Sequence, residues 1–473
     1  MQHQFAQKAI ALTTLLFATA STVSAQATTP ATTSWKPAWL TEVSISIREG
    51  YDNNIYGSGV DSVYYPGSFT GPIDGSVTAT KEHGSFFNSI TPKVAIDLAK
   101  LLDKESILKT LAFGYAPEFV TYHDAPSENY IAHRLTSTIA AKCDNLSFLL
   151  DEAFTFIDGD KYAPTYPGGY YSVYGYAPLR ERREQWQDRT TATLTYDQES
   201  WFMRATGSLL AYNLKTVQMA VPTANASYLN FVDRYDINGG VDFGYKIATN
   251  LAVTVGYRVG HQYQEELSNA IDPYDQTASS DYQRLLLGVE GSPVKWLKMK
   301  VQAGPDFRDY NDNAPVRDSN PIAFYGEGSL TATPSKDDTI ALNCRRWRWI
   351  GSTGKAPADE SSYELSYKRQ INSQWSSKLG FRAQSADYSC GESWSAGNHA
   401  QATAPTNFRN DWAYVLSAGV QYDVSSSLSL DVAYAATMGR NAQDRADLAA
   451  SQLPTSTRQF NNQVVSMGAK YKF

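Results

Sequence analysis

The chain ends with the stretch VSMGAKYKF at positions 465–473. Apolar side chains occupy every second position up to the aromatic terminus: Val465, Met467, Ala469, Tyr471 and Phe473. The positions between them hold polar residues or glycine: Ser466, Gly468, Lys470 and Lys472. Because successive side chains of a β-strand point to opposite faces, this period of two predicts a strand with one apolar and one polar face.

The aromatic end of this segment, Tyr471 and Phe473, resembles the C-terminal strand that the barrel-assembly machinery of bacterial outer membranes recognises. An assembly factor can read such a segment because an exposed edge strand offers backbone hydrogen bonds and a row of side chains. The resemblance implies the barrel-assembly machinery as a partner. It also makes the segment 457–473 the closing strand of a barrel.

The same alternation recurs upstream, for example at positions 233–247, 251–262 and 428–438. Short connections that contain Asn, Asp, Ser and Pro, the residues that favour turns, alternate with long connections rich in Gly, Tyr and polar residues. We count about 18 such segments, with 16 as the alternative, and this segregation of connection lengths is typical of outer-membrane barrels.

Two features place the apolar face of these segments on the outside. The polar face carries glycine and full charges, which suit a wet interior, and the apolar rows begin or end in Tyr or Trp, as membrane girdles do. No apolar run approaches the ~20 residues of a helical membrane span, and the mean hydropathy is −0.39. The sequence therefore predicts an all-β fold: a transmembrane antiparallel up-and-down β-barrel with short periplasmic turns and long extracellular loops.

The N-terminus has the features of an export signal. Lys8 precedes the short apolar stretch 9–20, and a small-residue cleavage site ends at Ala25. We therefore expect a signal peptide at 1–25 with cleavage after Ala25, a disordered periplasmic lead-in at 26–40 and a barrel at 41–473. The expected location is the outer membrane.

Two short stretches carry a family resemblance. The segment VSISIREGYDNNIY at 43–56 resembles the opening strand of the beta-barrel porin-2 family of outer-membrane proteins, and FGYAPEF at 113–119 resembles an early strand of the same family. The resemblance covers less than a tenth of the chain. It implies a porin-like barrel without settling what the barrel carries.

Charged residues on the predicted inner face are mostly basic. With polar side chains pointing inward, the candidate pore-lining residues are Arg134, Arg204, Asp242, Lys246, Arg258, Arg284, Lys298, Lys300 and Arg382. Charged side chains on a pore wall set its ion preference, so one hypothesis is a weak anion preference or contact with acidic solutes or glycans. The alternative is that these charges pair across strands and only solvate the wall.

Two further stretches invite binding hypotheses. The stretch RRWRW at 345–349 breaks the alternation, and a basic and aromatic rim would suit lipopolysaccharide phosphates. An ordinary membrane girdle is the simpler explanation. The stretch YPGGYYSVYGY at 166–176 is suited to stack sugars or to constrict the lumen, and a surface loop is its alternative.

The sequence offers no clustered catalytic residues, and a net charge of −7 argues against nucleic acid as a partner. We expect no enzyme activity, no cofactor and no metal. The leading function is a porin-like channel for passive diffusion of small hydrophilic solutes. The alternative is a non-conducting barrel for exopolysaccharide export, adhesion or envelope structure. Outer-membrane lipid and lipopolysaccharide are expected partners, and a homotrimer is one option by analogy with porins.

Overall fold

The computed structural model describes residues 36–55, 83–103, 105–159, 183–215, 218–219, 227–228, 233–265, 277–312, 314, 316–350, 357–387, 409–443 and 460–473. Within these residues one sheet contains eighteen strands: β1 Leu40–Asp52, β2 Ser85–Asp97, β3 Leu108–Tyr122, β4 Tyr130–Cys143, β5 Leu146–Gly159, β6 Gln185–Asp197, β7 Trp201–Leu214, β8 Arg234–Ala248, β9 Leu251–Gln264, β10 Ser280–Val294, β11 Leu297–Tyr310, β12 Ile322–Ala332, β13 Asp338–Ile350, β14 Pro357–Gln370, β15 Trp375–Asp387, β16 Arg409–Asp423, β17 Leu428–Gln443 and β18 Phe460–Lys472.

The remaining described elements are small. Two-residue strands, Gln218–Met219 and Ser227–Tyr228, pair with each other between β7 and β8. Short 3₁₀ turns occupy Leu98–Leu101 and Pro126–Glu128. In the described part of the chain, no helix has the length and apolar character needed to cross a membrane.

The sheet closes on itself. Each strand is antiparallel to the next one along the chain, and β1 also pairs with β18, from Ser44 opposite Lys472 to Asp52 opposite Val464. The closed barrel, its eighteen strands and its all-antiparallel order confirm the predicted fold. The C-terminal strand is the closing strand, as its alternating pattern indicated.

Short turns gather at one end of the barrel. A two-residue turn joins β4 to β5 through Asp144, whose φ of 47° lies in the left-handed region that Asp tolerates. Ser292 and Pro293 are residues typical of turns, but β10 continues through them to Val294, which pairs with Leu297. Gly291, with a φ of +138°, accommodates the register shift that permits this extension.

The two faces of the sheet are arranged opposite to those of a soluble barrel. On β8 the outward side chains Ile237, Val241 and Phe243 are each about half exposed. The alternate side chains Asp236 and Asp242 point inward and are buried. An exposed apolar surface around a polar interior is the arrangement that lipid on the outside and water on the inside would stabilise.

We expect a charged residue introduced on the outward surface to destabilise the barrel. Leu416 lies midway along β16 and is half exposed on the outer face, so Leu416→Arg should destabilise the barrel in lipid by about 2–4 kcal/mol. Gln384→Arg is the control, because Gln384 is exposed on the inner face of the neighbouring strand β15. Guanidinium unfolding in vesicles measures both; equal losses would contradict the assignment of the faces.

Candidate functional site

The inner face of the barrel holds the charged residues, and its first cluster lies at the seam between β1 and β18. Arg48 on β1 reaches across β18 to Asp431 on β17, with Nη2 2.5 Å from Oδ2, and its Nη1 donates to Ser466 on β18 at 2.8 Å. A Cβ at Gly468 would lie 2.8 Å from the Asp431 carboxylate and 3.1 Å from the Arg48 guanidinium. Glycine at this position therefore leaves the room that the ion pair occupies.

The outer end of the seam uses the rest of the REGYDNN motif. Asp52 Oδ1 accepts from Asn462 Nδ2 at 2.6 Å, and Asn54 Nδ2 donates to the carbonyl of Asn461 at 2.8 Å. The motif that carried the family resemblance thus joins the first strand to the last. This gives it a physical role in barrel closure.

A second cluster lies on the inner wall of β7 to β10. Arg204 donates to both Asp242, at 3.0 Å, and Glu290, at 2.8 Å. Arg258 Nη2 is 2.6 Å from Asp242 Oδ1, and a Cβ at Gly256 would approach that same carboxylate oxygen to 2.5 Å. These four residues form a closed network of two cations and two carboxylates.

A third cluster is fully enclosed. The Asp306 carboxylate on β11 lies 3.0 Å from Nε of Arg284 and 3.1 Å from Nη2 of Arg308, and all three side chains are at most 4% exposed. The Arg284 guanidinium also lies between two aromatic rings, 3.9 Å from the centroid of Tyr282 and 4.2 Å from that of Tyr325. Paired charges and cation–π contacts allow these arginines to remain charged while buried.

Near its outer end β13 separates from β12, whereas β14 stays paired with β15 as far as Asp359. Pairing of β13 with β12 stops at Arg346, opposite Gly326, whereas β13 remains paired with β14 from Trp347, opposite Glu360, to Ile350, opposite Pro357. We call these two paired ends, Trp347–Ile350 and Pro357–Glu360, the inward hairpin. The four residues Trp347 to Ile350 are all buried.

Side chains of the inner wall bind the backbone of the inward hairpin. The carbonyl of Arg348 accepts from Gln262 Nε2 at 3.1 Å and from Arg308 Nη2 at 3.0 Å. The carbonyl of Ile350 accepts from Nη1 of Arg234. Because the three donors point into the barrel from β8, β9 and β11, the hairpin lies inside the lumen against this part of the wall.

Apolar contacts reinforce this position. Trp347 and Trp349 stack with ring centroids 4.3 Å apart, and Arg234 lies 5.1 Å from the Trp349 ring centroid. Trp347, Trp349 and Ile350 belong to one buried cluster with inner-wall residues: Ala278, Leu286 and Tyr325. Beside β8 to β11, the lumen is packed like the interior of a soluble protein.

The outward rim predicted for 345–349 is wrong for Trp347, Arg348 and Trp349. These residues are buried, and Arg348 binds Asp359 with two hydrogen bonds, at 2.8 and 3.1 Å. The alternation fails here because the hairpin departs from the wall, so the strand no longer has one face toward lipid and one toward water. The stretch 166–176 lies outside the described residues.

Ion pairs also join the long connections near the outer end. Arg183 and Glu128, both buried, are 2.6 Å apart between Nη2 and Oε1.

Asp233, just before β8, accepts from the backbone N–H of Leu214 at 2.8 Å. Burial, together with the nearby carboxylate of Glu265, raises the pKa of Asp233.

The inner wall from β11 to β15 carries exposed cations: Lys298, Lys300, Lys368, Lys378 and Arg382. Among the described residues, none of the five forms an ion pair. Lys368 on β14 stands directly opposite Lys378 on β15. Like charges opposite one another destabilise a sheet, so the pair does not serve the stability of the fold.

The predicted pore-lining residues thus separate into two groups. Arg204, Asp242, Arg258 and Arg284 are in buried or half-buried networks. The other group is more exposed: Arg134, 2.7 Å from Glu118; Lys246, 2.7 Å from Asp197; and Lys298, Lys300 and Arg382 without a counter-ion among the described residues. Some of these charges therefore pair across strands, whereas Lys298, Lys300 and Arg382 form no ion pair with a described residue. The anion preference remains a prediction.

Three central residues were not among the predicted candidates. Asp236, Asp306 and Arg308 lie on the inner face and form the enclosed network beside the inward hairpin. Asp306 and Arg308 continue the alternation of Lys298 and Lys300 on the same strand, so extending that pattern to the end of β11 would have found them.

No protein-family model and no curated protein matches the chain. Solved structures are similar in part. OccK2 (OpdF) of Pseudomonas aeruginosa, in complex with glucuronate, is 10% identical, with 92% of this chain and 100% of that chain covered and a TM-score of 0.39. OccK11 (OpdR) of the same organism is 12% identical, covers 93% and 98%, and has a TM-score of 0.38.

A third similar structure is the siderophore receptor PirA of Acinetobacter baumannii, at 8% identity, 91% and 80% coverage and a TM-score of 0.40. With identities of 8 to 12% and TM-scores of 0.38 to 0.40, we attach no functional meaning to these similarities.

Proposed function

We propose that this protein is an outer-membrane, porin-like channel for the passive diffusion of small hydrophilic solutes, with a weak preference for anions. The supporting observation is a closed barrel whose inner wall carries exposed cations that form no ion pair with any described residue. A closed sheet satisfies the backbone hydrogen bonds in lipid, and a polar inner face keeps water in the lumen.

The anion preference follows from the charges that remain after pairing. Arg48, Arg204, Arg258 and Arg284 are neutralised by nearby carboxylates. The exposed cations on β11, β14 and β15 then set the local potential, which raises the concentration of anions beside them. Glu364, opposite Arg382 in the register, is an exposed carboxylate of the same sector and keeps the preference weak.

One observation favours the alternative of a non-conducting barrel for exopolysaccharide export, adhesion or envelope structure. The inward hairpin occupies part of the lumen and is fixed there by hydrogen bonds. Solute flux separates the two functions, because only an open path gives conductance.

The deciding experiment uses the refolded protein in planar bilayers and in liposomes. We expect stepwise conductance, swelling of liposomes in small sugars, and a reversal potential in a KCl gradient that is displaced toward chloride. A folded barrel without conductance or swelling would overturn the channel, and clear cation selectivity would overturn the anion preference alone.

Several expectations remain predictions beside this proposal: the signal peptide at 1–25, Tyr471 and Phe473 as the assembly signal, lipopolysaccharide and outer-membrane lipid as partners, glycans as solutes and a homotrimer. Membership of the beta-barrel porin-2 family is also proposed, on the motifs at 43–56 and 113–119. The seam contacts of Arg48, Asp52 and Asn54 supply a structural reason why the first of these motifs would be shared.

A further inference from the structure

We propose that the inward hairpin is a fixed partition of the lumen, which sets the size limit of the pore and confines solutes to the sector lined by the exposed cations. The inference rests on the proposed channel function. It assigns to Arg234 and Arg308 the role of positioning residues that hold the partition, since both donate to backbone carbonyls of the hairpin.

Burial divides the inner wall into two sectors. Beside the hairpin, the inner side chains of β8 to β11 are almost completely covered: Asp236, Gln262, Tyr282, Arg284, Asp306 and Arg308. Lys298 and Lys300, nearer the short-turn end of β11, are exposed. On β14 and β15 the inner side chains Lys368, Lys378, Arg382 and Gln384 remain exposed, as do Arg134 on β4 and Arg189 on β6. We therefore place the solute path along the second sector, where Lys368, Lys378 and Arg382 form no ion pair with a described residue.

The contacts indicate a rigid attachment. Arg308 is held by Asp306 at 3.1 Å and by Gln262 Oε1 at 2.6 Å while it binds the Arg348 carbonyl. Hydrogen bonds from a charged donor are stronger than neutral ones, and burial strengthens them further. The stacked tryptophans add apolar area that would be exposed to water if the hairpin left the wall.

The pairing of the strands shows why the hairpin can be removed without opening the wall. β13 pairs with β12 only as far as Arg346, and β14 pairs with β15 only from Asp359 onward. In a deletion variant, residues 348–359 are removed and the ends are joined by an Asn-Gly turn. Only one residue pair of the wall is lost, Asp359 with Asp387. We expect this variant to conduct more than the wild type and to admit larger sugars in liposome swelling.

A milder variant tests the two positioning residues. Arg234→Gln with Arg308→Gln removes the donors to the hairpin and should raise the size limit partway toward that of the deletion, with added noise in the open channel. Arg234→Lys with Arg308→Lys keeps the charge and one donor at each position, so it should restore much of the wild-type behaviour. The control is Lys142→Gln with Lys472→Gln, which removes two exposed cations at the short-turn ends of other strands and should leave the size limit unchanged.

Thiol protection tests the fixed position directly. In a protein with Cys143, Cys344 and Cys390 replaced by serine, Ile350→Cys introduces a thiol at a fully buried position of the hairpin. We expect this thiol to resist a hydrophilic reagent and to react once Arg234 and Arg308 are replaced by glutamine. Rapid reaction in the otherwise unchanged protein would overturn a fixed partition.

The outcomes separate the two proposals. If neither the wild type nor the deletion conducts, the channel function fails. If both conduct with the same size limit, the channel stands and the partition is overturned. If only the deletion conducts, the hairpin is a complete plug, which also overturns a partition with an open sector beside it.

Discussion

Replacing Asp306 with alanine is expected to destabilise the barrel more than any other single loss of charge described above. The carboxylate lies between Arg284 and Arg308, and all three side chains are buried. Its removal leaves two guanidinium groups without their shared counter-ion, and breaking such a buried pair costs about 3–5 kcal/mol. Guanidinium unfolding of the refolded protein in lipid vesicles, followed by tryptophan fluorescence, measures the loss.

The matched control is Glu118→Ala. This residue forms an ion pair of similar length, 2.7 Å, with Arg134, whose side chain is 45% exposed. Solvent screens such a pair, so its loss should cost at most about 1 kcal/mol. Equal unfolding midpoints for the two variants would show that the enclosed network contributes no more than an exposed pair.

Reversing the exposed cations of β14 and β15 is expected to reverse the ion preference of the channel. In the triple variant Lys368→Glu, Lys378→Glu and Arg382→Glu, the sector that we assign to solute passage changes from basic to acidic. The reversal potential in a KCl gradient should then move from the chloride side to the potassium side. Because exposed charges are screened by salt, the difference between variant and wild type should shrink as the ionic strength rises.

A control triple variant carries the same change of net charge elsewhere. Lys142, Lys295 and Lys336 are exposed at or beside the short turns, away from the inner wall of β14 and β15. Their replacement by glutamate should shift the reversal potential far less. If the two triple variants behave alike, net charge rather than the position of the lysines sets the selectivity.

Much of the fold could be predicted because side chains along a strand of a membrane barrel alternate between lipid and the polar interior. Every second residue is therefore apolar. Leu416, Val241 and Phe243 face outward and are half exposed, as their places in the alternation required. The number of strands and the closing role of β18 follow from the same period of two. The lengths of the connections distinguished the two ends of the barrel, although Ser292 and Pro293, residues typical of turns, lie within β10.

The alternation also placed single charges on the inner face, but it could not say which of them meet. Arg48 and Asp431 are 383 residues apart and come together only because β18 lies between their strands in a closed sheet. Arg204 likewise reaches Glu290 across two intervening strands. Such contacts depend on register and on side-chain reach, which the local pattern does not contain.

The sequence by itself determined the strands, their two faces and the closed antiparallel barrel, because lipid and water act on each strand separately and leave a periodic pattern. Only the tertiary structure decided that Trp347 to Ile350 turn into the lumen, since their partners Arg234, Gln262 and Arg308 belong to distant strands. It also decided which cations are paired with a carboxylate and which, such as Lys368 and Lys378, stay exposed without an ion pair to a described residue. Electrostatic pairing is a property of distances between strands, and those distances exist only in the folded barrel.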